Sequence, residues 1–165
     1  MKHDARIDVL LQIFDEAYER QAWHGPNLKG SLRGISCDQA SWRPHRRRHS
    51  IWEIAVHTAY WKYAVRRRLL GEKRGSFPIK GSNWFGIPVA NTEASWRDDL
   101  RLLDAMHASL RKAISGLPPP KLLATPKGSK VSNIRQIYGI AMHDVYHAGQ
   151  IQLLKRLYAE SRGKR

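Results

Sequence analysis

Between Trp96 and Leu117, side chains recur in alternating steps of four and three: Trp96, Leu100, Leu103, His107, Leu110, Ile114 and Leu117. Only an α-helix with one buried stripe places these positions on a common face, because its period is about 3.6 residues. The run stops at "GLPPP", where proline cannot donate the next helical hydrogen bond. A helix of this kind must bury its stripe, and the rest of the chain supplies similar partners. Ile7, Leu10, Leu11, Phe14 and Tyr18 form a first stripe, broken by "HGPNLKG" at residues 24–30. A second helix opens at "SIWE", where Ser50 and Glu53 have the spacing of a capping box, and it ends near Gly71. Its stripe is Ile51, Ile54, Thr58, Trp61, Val65 and Leu69.

A fourth helix is predicted from about Ser132 to Ala159. Ile137, Ile140, Ala141, Ala148, Ile151, Leu154 and Leu157 give it an apolar surface broad enough for packing on more than one side. Alternating β-branched runs, repeats and low-complexity tracts are not evident, so the fold class is all-α. Residues 71–93, "GEKRGSFPIKGSNWFGIPVANTE", are much longer than a turn between antiparallel neighbours requires. A connection of this length can cross a bundle and leave the second and third helices parallel. Phe77, Trp84 and Phe85 within it suit a segment that packs over one end. The expected architecture is therefore a single domain, residues 1–165, folded as a four-helix bundle with a long crossover between the second and third helices.

Composition excludes several classes. At 165 residues with 42% hydrophobic and 26% charged side chains, the chain can bury a core and is expected to be globular. No apolar run approaches the roughly 20 residues of a membrane span, and acidic residues interrupt the N-terminal segment, unlike a secretory signal. One cysteine, Cys37, rules out an internal disulfide and fits a reducing, cytoplasmic setting; it is read as incidental to function. The net charge of +15 attracts polyanions or small acidic ligands alike. Its densest clusters are "RPHRRRH" at 43–49 and the tail "SRGKR", both readable as solvated segments. Neither interleaved aromatics nor zinc-finger spacing accompanies them, so a nucleic-acid partner rests on charge alone.

The fourth helix contains "MHDVYHAGQIQLLKRL". Residues four apart on a helix are rotated by about 40° and separated by about 6 Å along the axis, so His143 and His147 can converge on one cation. Two ligands make a weak site, and His57, at the edge of the second helix's stripe, is the natural third. The alternative is a set of partly buried histidines satisfied by hydrogen bonds. "HDVYH" also resembles the H-E-x-x-H metalloprotease pattern, with Asp144 in place of the glutamate base. The shorter side chain and the lack of a following ligand argue against that reading, leaving Asp144 beside the site or facing solvent. His107 reads as a core histidine, with pocket lining as the alternative. Trp61 and Trp84 could wall the open face of a metal, and Gln150 could reach the pocket or the interior.

The strings "HDVYHAGQIQLLKR", "SIWEIAVHTAYWKYAVRRRLLG" and "WHGPNLKGSLRGISCDQASWRP" resemble the DinB-like superfamily, which includes DinB/YfiT-like metalloenzymes. The resemblance runs from the first helix to about residue 158. Its most specific parts are H-x-x-x-H followed by G-Q-I, and a lone histidine midway along the second helix. It implies an up-down-down-up bundle, frequent homodimers, and a divalent metal held by three histidines, here His57, His143 and His147; imidazole donors suit zinc and nickel alike. The family includes bacillithiol S-transferases and mycothiol-dependent maleylpyruvate isomerase, which implies a low-molecular-weight thiol as cosubstrate. Activation of such a thiol by the metal requires no protein cysteine. A metal-dependent hydrolase, a non-catalytic metal-binding bundle and a basic nucleic-acid-binding bundle are the alternatives.

Overall fold

A computed structural model describes residues 4–163, so the last two residues of the basic tail and the first three of the N-terminal segment lie outside the described residues. The described chain is all-helical, with no β-strand. Helix α1 spans Ala5–Tyr18, with the Asp4 carboxylate accepting from the Arg6 backbone N–H. Its predicted stripe is buried, joined by Asp15, whose carboxylate receives two hydrogen bonds from Arg111 at 2.8 and 2.9 Å. Two short helices, α2 (Leu28–Leu32) and α3 (Cys37–Ser41), follow, capped by Asn27 and Ser36 respectively. Cys37 is buried in α3, its thiol donating to Asn91 Oδ1 at 2.9 Å.

Helix α4 runs from Ile51 to Leu70. Its start is the expected box: Ser50 Oγ accepts from Glu53 N, and the Glu53 carboxylate accepts from Ser50 N at 2.8 Å. Its end is Gly71, at φ 72°, a left-handed conformation that glycine adopts without steric penalty. Burial extends well beyond the predicted stripe, to Trp52, Ala55, Val56, Ala59 and Tyr63, whereas Trp61 is only partly covered. Helix α5, Glu93–Ser115, buries Trp96, Leu103, His107, Leu110 and Ile114 against α4 and α1. A short 3-10 turn, Pro119–Leu123, inserts Leu122 into the core. Helix α6, Asn133–Gly163, then packs along α1 and α4.

The segment between α4 and α5 is pinned to α4 by aromatic contacts. Phe77 and Phe85 pack on Tyr60, each at 5.4 Å between ring centroids, and on one another at 5.3 Å. Tyr63 Oη accepts from the backbone N–H groups of Gly75 and Ser76. The aromatic residues that marked this stretch in the sequence are thus what holds it down.

The core has two apolar clusters. One joins Trp52, Ala59, Trp96, Leu103 and Ile151; the other joins Phe14, Val65, Leu110, Ile114 and Ile137. On each long helix a polar residue falls between its contributions to the two clusters: Lys62 on α4, His107 on α5 and Asp144 on α6. Lys62 and Asp144, both fully buried, form an ion pair. The Lys62 ammonium also lies over the rings of Phe14 and Tyr18, at 5.0 and 4.8 Å from their centroids. His107 is stacked between the same two rings at 4.3 and 3.9 Å, and neither of its nitrogens has a hydrogen-bond partner among the described residues. Burial, reinforced by the Lys62 charge, pushes its pKa down to about 2, so the ring is neutral.

Candidate metal centre

Helices α4 and α6 bring His57, His143 and His147 together. His143 Nε2 lies 3.1 Å from His57 Nε2 and 3.1 Å from His147 Nε2. One ring nitrogen from each of the three falls within 4.8 Å of the others. Imidazole nitrogens sharing a zinc-like ion at about 2.1 Å stand roughly 3.0–3.4 Å apart, for bond angles between square and tetrahedral.

The acceptors around the rings fix where the imidazole protons lie. The backbone carbonyl of Asn83 can only accept, and it lies 2.7 Å from His57 Nδ1, so that nitrogen carries the proton. In the neutral ring Nε2 then presents a lone pair. Gln150 Oε1 holds His147 Nδ1 in the same way at 2.7 Å, while the Gln150 amide donates to Tyr146 Oη. His143 Nε2 faces both lone pairs. A single proton on it can satisfy only one of them, and its own Nδ1 is buried without a partner among the described residues. A cation satisfies all three nitrogens at once, and the donor set fits a borderline metal such as zinc or nickel.

Desolvation keeps the rings neutral, the form that binds metal. Burial, and then the neighbouring histidines, pushes His143 down to about 3. Burial and His57 push His147 to about 4 against the opposing effect of the hydrogen bond it donates to Gln150. His57 is lowered by burial too, with the Asn83 carbonyl acting in the opposite direction.

Around the histidines stands an aromatic wall. Trp84 stacks on His57 at 3.9 Å and 10° between planes, and His49 stacks on the other side of the pair at 3.6 Å from Trp84. Trp61 approaches His57 edge-on and donates its indole N–H to Asn83 Oδ1 at 2.9 Å. Asn83 therefore holds two side chains of α4, and it does so in a left-handed backbone conformation, φ 66°. A cleft of about 680 Å³ opens beside His147, bordered by Trp84, Gln150 and Tyr146.

The tryptophans anticipated as walls, Trp61 and Trp84, both contact the histidines, and Gln150 reaches His147. His107 does not join the cluster; it lies in the polar layer of the core. Asp144 is corrected in one respect: solvent does not reach it, because its carboxylate points into the core and pairs with Lys62. That orientation gives no support to a base acting on metal-bound water. The neighbours of the site that sequence reasoning missed are Asn83 and Tyr146, and behind them in the core the Lys62 partner of Asp144. A lone lysine within the apolar run "AVHTAYWKYAV" was a signal for Lys62, and asparagine's tolerance of left-handed backbone was a fainter one for Asn83.

No curated protein and no solved structure matches the chain. A sequence profile of the DinB superfamily matches residues 21–151, a span that takes in α2 to α5 and all three histidines. By that match over most of its length, the chain belongs to the DinB superfamily.

Proposed function

We propose that the chain is a metal-dependent enzyme that uses a low-molecular-weight thiol, of the S-transferase or isomerase type, with His57, His143 and His147 as ligands of a zinc or nickel ion. The observation that carries this reading is the convergence of three Nε2 atoms beside an open cleft. A three-histidine ion keeps positions free for an exogenous ligand and lowers the pKa of a thiol or water bound there. Asn83 and Gln150 orient two of the rings, as outer partners of metal-binding histidines do. Trp84 covers the His57 ring and limits water at that side of the centre. In this reading α1, α4, α5 and α6 form the family's four-helix bundle as one domain, with the segment after α4 as its crossover, and the protein works in the cytoplasm.

Cobalt-substituted protein provides the test. Added thiols should introduce a sulfur-to-cobalt charge-transfer band in the near ultraviolet, and His57→Ala should abolish it. If no thiol perturbs the spectrum and no thiol-dependent turnover of electrophiles is found, the thiol reading fails. Turnover without any thiol would point to a hydrolase instead.

The same reading includes a homodimer formed through helix faces. Val9 and Ile13 on α1, and Met142 and Tyr146 on α6, are large apolar side chains left exposed. Light scattering at micromolar concentration should return twice the chain mass of 19.0 kDa. A mass equal to one chain would remove the dimer and leave the metal centre untouched.

A further inference from the structure

The cleft beside His147 is chemically one-sided. Ile54, Leu153, Leu154 and Leu157 supply aliphatic walls, Arg47 and Arg48 stand at its rim, and among the described residues no carboxylate lines it. Both arginines belong to the exposed segment between α3 and α4, which is anchored at several points. Arg43 pairs with the buried Glu53 at 2.8 Å. His49 is stacked on Trp84, and Arg48 N donates to His45 O at 2.9 Å to close a turn. The segment is therefore tied down while the guanidinium groups of Arg46, Arg47 and Arg48 are left without a carboxylate partner among the described residues, the last two at the cleft. Arg43, Arg66 and Arg111 each have a carboxylate partner; among the described residues, Arg47 and Arg48 have none.

We infer that this cleft binds a small molecule with an apolar body and an anionic group, and that Arg47 and Arg48 read the anion. As the substrate class of the reaction proposed above, the inference rests on that reading, although the binding itself does not require turnover. The volume is that of a small-molecule site. Guanidinium groups recognise carboxylate and phosphate through paired hydrogen bonds, while the apolar wall favours an alkyl or aromatic body by removing it from water. A ligand so placed runs from the arginine rim toward His147, which puts its far end beside the three histidines.

Calorimetric titration of the full chain with octanoate, octyl phosphate, octylammonium and octanol at one ionic strength tests this. One or both anions should bind at least about tenfold more tightly than the alcohol, octylammonium should be the weakest, and the preferred anion distinguishes a carboxylate from a phosphate site. Arg47→Ala/Arg48→Ala should remove that advantage with metal content unchanged, and Arg47→Glu/Arg48→Glu should turn the preference toward octylammonium. Binding of the anions should survive in His143→Ala. Loss there, without an effect of the arginine variants, would place the anion on the metal and overturn the inference. So would equal affinity for all four probes in the parent protein, a comparison that stands even where a variant does not fold. Anion selectivity in a protein that ignores thiols would sink the thiol reading alone; thiol-dependent turnover without anion selectivity would sink this inference alone.

Discussion

His143→Ala is expected to lower affinity for a divalent ion by more than the roughly 10- to 100-fold that loss of an outer-shell partner costs. Its Nε2 is the atom that approaches both other nitrogens at 3.1 Å, so its removal leaves His57 and His147 without the shared neighbour. Elemental analysis of tag-free protein should find close to one divalent ion per chain in the parent and almost none in the variant. Thermal unfolding offers a second readout. An ion that binds only the folded chain stabilises it by about 2.7 kcal/mol at one hundred times its dissociation constant, so a chelator should lower the melting temperature of the parent and leave the variant unmoved. A variant that kept full occupancy would remove His143 from the ligand set.

The second large effect concerns the core. Asp144→Asn should destabilise the fold by about 3–5 kcal/mol, because it strands the Lys62 ammonium in a site with no exposure to water. Burial pushes the carboxyl of Asp144 up and the ammonium of Lys62 down, and the charge of each opposes that shift in the other. The cation also faces Phe14 and Tyr18, which compensate only in part for lost hydration. Replacing both members, Lys62→Met with Asp144→Leu, should recover most of the loss, since well-packed apolar pairs commonly match or exceed a buried ion pair. Urea denaturation of the parent, the single variant and the double variant measures this. A single variant within about 0.5 kcal/mol of the parent, the range of an ordinary surface change, would show that the pair is not what its burial implies.

Local chemistry made much of the helical framework readable. The Ser50–Glu53 box and the Gly71 terminus depend on residues a few positions apart, and the α5 stripe repeats for about five turns. Helix α2 escaped notice because five residues are too few to show a period, and "HGPNLKG" reads first as a breaker. The two histidines of α6 were legible from their spacing, and His57 from its place at the edge of a stripe. Asp144 was harder, since an acid on a helix is ordinarily solvated and its partner lies 82 residues earlier in the chain. The acceptors that orient the rings differ in the same way. Gln150 sits one turn from His147, whereas Asn83 acts through a backbone oxygen that no side-chain pattern encodes.

Asn83 couples parts of the chain that evolution or an engineer would wish to vary separately. Its carbonyl and its side chain hold His57 and Trp61, and the next residue stacks on the His57 ring. The connection between α4 and α5 is consequently not a neutral spacer into which sequence can be transplanted at will. Within its first part, Lys73 and Arg74 are exposed and lie outside the hydrogen bonds that Glu72, Gly75 and Ser76 make to α4, so an insertion there has little consequence for the histidines. From Ser82 to Phe85 the segment is part of the centre, and a chimaera that exchanges it without a left-handed residue followed by an aromatic one would inherit the helices but not a correctly aimed His57.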